Sequence, residues 1–130
     1  MAKKTKSLRK QLKSMIGAVL TSEKITADVF YGYAKPDVAA PYIIFSLEEI
    51  TREDGRITFE LEVNCLDYAR NTERCEDMAD AITDALDHSV TITEDLEFHI
   101  YANRRNNVSS PDEKIVRRRL TYDLYLYERT

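Results

Sequence analysis

The chain has 130 residues, which fits one domain and leaves little room for two. Hydrophobic residues make up 43% and charged residues 32%, a composition that excludes a disordered chain; one ordinary core at this size needs neither a metal nor a disulfide. The net charge of −4 argues against a protein built to coat nucleic acid.

Charge is nevertheless uneven along the chain. Lys3, Lys4, Lys6, Arg9, Lys10 and Lys13 form a basic start, no acid precedes Glu23, and a second basic group stands at Arg117, Arg118 and Arg119. Residues 1–6 read as a flexible basic arm and 7–130 as a single domain. A first helix is expected over Ser7 to Leu20, with Leu8, Leu12, Met15, Ile16, Val19 and Leu20 on its apolar face and Ser7 as N-cap. The run from Leu12 to Leu20 is interrupted by Lys13, Ser14 and Gly17, so it is too polar for a signal sequence and too short to span a bilayer.

A polar connection over 21–28 leads to a short strand, Val29 to Tyr33, and then to a loop over 34–41 that holds Pro36 and Pro41. Tyr42 to Leu47 is a run of β formers that continues toward Ile50. Asp54-Gly55 is the strongest hairpin signal in the chain, because a tight turn needs positive φ. Beyond it the strand alternates, with Ile57, Phe59, Leu61, Val63 and Cys65 on one face and Arg56, Thr58, Glu60, Glu62 and Asn64 on the other.

A second helix is expected from Asn71, its cap, to Asp87, burying Cys75, Met78, Ala79, Ile82, Ala85 and Leu86 and turning Glu73, Glu76, Asp77, Asp80 and Asp84 outward. A strand over Leu96 to Ala102, a long polar loop over 103–114 and a last strand over Ile115 to Glu128 complete the chain. The order helix, strand, hairpin, helix, hairpin defines an α+β fold, with a mostly antiparallel sheet and two main helices packed on one face.

Signals for catalysis are sparse. His88 and His99 are the only histidines and lie in no metal-ligand pattern, and Gly17, Gly32 and Gly55 lie in no phosphate-binding loop. Cys65 and Cys75 fall in apolar phase and read as buried free thiols. Glu60 and Glu62 share a strand face and keep a small metal-dependent enzyme as an alternative, although alternating charges are ordinary on an open sheet. The expectation is therefore binding without catalysis, with no cofactor and no membrane. The candidate interface residues are the acids Glu48, Glu49 and Glu53, the arginines Arg104, Arg105, Arg117 and Arg119, and Tyr125, which lies opposite the core phase of its strand. Acidic residues of one subunit, on helix two or the first hairpin, are expected to meet these arginines on the next.

Ala40-Pro41-Tyr42-Ile43-Ile44-Phe45 followed by Glu48-Glu49, the alternating strand ending in Asp67-Tyr68-Ala69-Arg70, and Ser110-Pro111-Asp112 before Val116-Arg117-Arg118 carry a resemblance. With the basic first helix, they resemble the tail terminator, or tail-completion, proteins of long-tailed bacteriophages over most of the chain. That resemblance implies virion morphogenesis: a ring, commonly a hexamer, on the head-proximal end of the tail tube. Its implied partners are further copies of itself, the tail tube protein and a head-completion or connector protein. Its implied location is the host cytoplasm during assembly and then the head-tail junction of the virion. Head-tail joining and minor capsid proteins of the same gene clusters, and a small nucleic-acid-binding module using the basic groups, remain the alternatives.

Overall fold

The computed structural model describes residues 2–108 and 112–128, and the side chains from Thr5 onward within them. Nine elements follow in order: α1 (Ala2–Ser22), β1 (Asp28–Tyr31), β2 (Tyr42–Glu53), β3 (Arg56–Tyr68), a 3-10 turn (Ala69–Asn71), α2 (Thr72–Leu86), β4 (Ser89–Ile92), β5 (Glu97–Val108) and β6 (Ile115–Tyr127). The strands form one sheet in the order β1-β2-β3-β6-β5-β4. Only β1 and β2 run parallel; the other neighbours are antiparallel. The α+β class and the mostly antiparallel sheet are as expected.

Both helices cover one face of this sheet. Leu8, Leu12, Ile16 and Leu20 of α1 and Cys75, Met78, Ala79, Ile82 and Leu86 of α2 meet Ile43, Phe45, Ile57, Phe59, Leu61, Val63, Phe98, Ile100, Leu120, Tyr122, Leu124 and Leu126 in one cluster. Period-2 alternation on the strands and the 3.6-residue repeat on the helices select these side chains, so their burial follows from periodicity. Tyr122 buries its ring and satisfies its hydroxyl on Thr83 Oγ1 at 2.9 Å. Burial raises its pKa well above the usual phenol range. Both cysteines are free and buried. The Cys75 thiol donates to the Cys65 carbonyl at 3.4 Å, and burial pushes its pKa up to about 11, so neither sulfur is a ready nucleophile.

The structure corrects several local expectations. α1 begins at Ala2 rather than Ser7, so Ser7 lies inside the helix and caps nothing. Asn71 stands at the N-cap position of α2 without a side-chain cap bond, and Ala85 is exposed. β4 lies between the expected second helix and the expected strand from Leu96, where no element is predicted, although Ser89-Val90-Thr91-Ile92 is rich in β-branched residues. The expected loop over 103–114 is largely strand: β5 runs on to Val108 and pairs with β6 as far as Val108↔Arg117. A polar stretch hides such a strand from hydropathy, because both of its faces meet water.

The Asp54-Gly55 turn forms as expected, with Gly55 at φ 79°. At the end of α1, by contrast, Lys24 takes a left-handed conformation at φ 59°. Its N–H donates to the Thr21 carbonyl at 3.0 Å, and that of Ile25 to the Leu20 carbonyl at 2.9 Å. This double closure normally carries glycine at the left-handed residue. Lys24→Gly is therefore expected to stabilise the fold by about 1 kcal/mol, read as a rise in the urea midpoint at unchanged slope; a fall in the midpoint would contradict this account of the helix end.

Candidate interaction surface

With both helices on one face, no helix among the described residues covers the other, open face of the sheet. Its side chains stand in cross-strand rows fixed by the register. At one end Tyr42, Leu66, Arg117 and Val108 are neighbours, followed by Ile44, Asn64, Arg119 and Asn106. Glu48, Glu60 and Asp123 form a row of three carboxylates in the middle. Carboxylates directly opposite one another repel, so this row does not serve the stability of the isolated sheet. Among the described residues no group of three or more His, Cys, Asp or Glu side chains is arranged to hold a metal ion. Glu62, which shares a face with Glu60, accepts from Asn64 Nδ2 at 2.9 Å and lies 3.5 Å from Arg119 Nε.

Beyond the acidic row the open face turns aromatic. Tyr101 and Tyr125 pack at 5.9 Å, His99 and Tyr127 at 4.9 Å, and His88 meets the Tyr101 ring edge-on at 5.3 Å. The Arg56 guanidinium lies 4.9 Å over the Tyr125 ring. Val90 and Ile92, whose partners in register are His99 and Glu97, are more than half exposed beside this group. Tyr125 thus occupies the open face, as its phase predicts, within a patch of aromatic and apolar side chains of the kind that interfaces use. The histidines and β4 complete that patch. Sequence reasoning set them aside, because His88 and His99 match no ligand pattern.

The charged candidates separate into two groups. Arg105 and Arg118 point to the helix side. Arg105 donates from Nη1 to Asp80 at 2.6 Å and from Nη2 to Glu76 at 2.5 Å, and Arg118 Nε donates to the other Glu76 oxygen. For Arg105, partial burial lowers the pKa, but the bonds to Asp80 and Glu76 outweigh it and raise the net value. Two acids of α2 that were expected to reach a neighbouring subunit are thus already held by arginines of their own chain. Arg117 and Arg119 lie on the open face, where Arg117 Nε donates to Asn64 Oδ1 at 2.9 Å. Arg104 is exposed on β5, and Glu48, Glu49 and Glu53 are exposed on β2.

These last residues mark the edges of the sheet. β1 covers β2 only over Tyr42 to Phe45, and beyond it the Tyr31 hydroxyl accepts from the Leu47 N–H at 3.3 Å. β4 covers β5 only over Glu97 to Ile100, and beyond it Asp87 Oδ1 accepts from the Ala102 N–H at 2.7 Å. Among the described residues, no strand lies beside Glu48–Glu53 on one margin or Asn103–Val108 on the other. No helix among the described residues is long and apolar enough to cross a membrane.

Comparison with known proteins gives the fold a relative. No family model and no curated protein matches the chain. A solved structure, a chain from the virion of a native gene transfer agent particle, is similar with a TM-score of 0.63 at 12% sequence identity. The match covers 89% of this chain and 84% of that one. At that identity the likeness is one of fold alone: most of this chain has a counterpart in the fold of that virion chain.

Proposed function

We propose that this chain is a structural protein of a phage-like virion, and within it the tail terminator. It would form a ring on the head-proximal end of the tail tube, stop tube growth and present the surface that joins the head. The observation that carries this reading is the fold shared with a chain of a gene transfer agent virion across most of both chains. The motifs from Ala40 to Phe45 and from Val116 to Arg118 supply the finer assignment by their resemblance to tail terminators. The open sheet face, with its aromatic patch and its row of facing carboxylates, supports action by binding rather than by catalysis.

The test mixes the purified protein with polymerised tail tubes from the same gene cluster and examines them by negative-stain microscopy. Caps at one tube end and an arrest of lengthening are expected. Bare tubes that keep growing would overturn the terminator assignment and move the chain to the head side of the same particle.

A further inference from the structure

The two free edges of the sheet are complementary, and we infer that β2 of one copy pairs with β5 of the next as antiparallel strands, making one sheet continuous between subunits. This inference rests on the virion-assembly reading for its purpose, but its geometry stands on the sheet alone. β1 covers the start of β2 and β4 covers the start of β5, so the free stretches lie at opposite ends of opposite margins. In the sheet order, β2 and β5 run in opposite directions. Placed side by side in copies of like orientation, they therefore meet antiparallel, the pairing that needs no crossover and gives the better-aligned ladder.

Charge selects which edges meet. The free stretch of β2 carries Glu48, Glu49 and Glu53 against one cation, Arg52, which is held by Glu49 at 2.8 Å. That of β5 carries no acid and presents Arg104, while Arg105 is turned to Asp80 and Glu76 of its own α2. Exposed edges are ordinarily guarded by charges and bulges against indiscriminate pairing. Both guards are present here, with bulges between Glu49 and Thr51 and between Ala102 and Arg104. Because the charges differ in sign, two β2 edges repel and two β5 edges repel, while unlike edges attract. The contact is thus heterologous, and such contacts generate rings when the rotation closes.

The offset between the free stretches sets the geometry of closure. The level of Arg105 runs across the sheet through Leu120 and Val63 to Phe45, whereas the free stretch of β2 is centred near Ile50. Pairing the two centres shifts each copy by about five residues, ~17 Å at the usual rise, across four strands spaced ~4.8 Å apart. The strands then tilt by roughly 40° to the ring axis, within the range that closed sheets adopt.

The test blocks each edge separately. Alternation from the Leu47 N–H, which points outward to Tyr31 Oη, puts the Glu49 N–H on the same free margin. Glu49→Pro removes that donor without touching the ladder to β3. Arg104→Glu with Asn106→Glu makes the β5 edge acidic at two exposed positions. By analytical ultracentrifugation the wild type is expected to self-associate with rising concentration, and each variant alone to remain a folded monomer by circular dichroism. Mixed, the two variants are expected to form heterodimers and nothing larger, because each retains one working edge. Wild-type assembly that survives both changes would overturn the edge contact while leaving the virion reading intact. A wild type that is monomeric at every concentration would overturn the contact as well, and the tube-capping experiment then judges the virion reading by itself.

Discussion

Replacing Arg74 by Ala is expected to cost about 3 kcal/mol, more than replacing its partner Asp67 by Ala, although the two changes delete the same ion pair. Asp67 ends the core-facing series of β3 and is fully buried, while the Arg74 side chain is 39% exposed. The guanidinium grips the carboxylate with two bonds of 2.6 Å, Nε to Oδ2 and Nη2 to Oδ1, and the Tyr68 N–H adds a third at 2.7 Å. The pair ties the end of β3 to the first turn of α2 across the 3-10 turn.

Without Arg74, a buried carboxylate is left with one backbone donor, which is the costly half of breaking such a pair. Without Asp67, the arginine swings into water. Asp67→Asn keeps the shape and is expected to lie between wild type and Arg74→Ala. Urea unfolding at constant slope measures all three. An Asp67→Ala cost equal to or larger than that of Arg74→Ala would show that packing, not the stranded charge, dominates here.

This ion pair also shows what the sequence could and could not convey. The core was legible: nearly every apolar residue in strand or helix phase is buried, because alternation and the helical repeat are local properties. The α+β class, the two helices and the Asp54-Gly55 hairpin followed from the same local rules. Asp67 carried no such signal, since its partner is set by how a helix docks on the strand before it. Arg105 and Arg118 were likewise read as surface cations. Only the register of β5 and β6 reveals that they face α2, with Glu76 and Asp80 opposite.

The candidate surface was legible to a similar degree. Tyr125 could be placed on the open face from its phase alone, and Glu48 and Glu53 on a hairpin arm. That Arg104 lies on a sheet margin was hidden, because residues 103–108 have a loop-like composition and become strand only by pairing with β6. The position of a free edge is a property of topology: it depends on where β1 and β4 stop covering their neighbours, which no local pattern encodes.

Glu76→Lys is expected to destabilise the protein by about 3 kcal/mol and to loosen the second half of β5 selectively. Glu76 uses both carboxylate oxygens, one for Arg105 and one for Arg118, whose side chain is only 14% exposed. Charge-assisted bonds of this kind contribute about 1.5–3 kcal/mol each at best, discounted here because Glu76 itself is 40% exposed. Reversal also sets a third cation beside two others, whereas Glu76→Gln keeps an acceptor and is expected to cost about 1 kcal/mol.

The consequence beyond global stability concerns Asn103–Val108, whose only strand neighbour among the described residues is β6. Arg105 anchors this stretch to α2; unanchored, it should open without unfolding the core. Hydrogen exchange is therefore expected to speed up in residues 103–108 while β3, flanked on both sides, keeps its protection. Under the proposed edge pairing, the same substitution also weakens self-association, because an edge must be ordered before it can template a neighbour. Unchanged exchange in residues 103–108 would instead mean that the β5–β6 ladder suffices to hold the arm and that the Glu76 network serves only to fix α2.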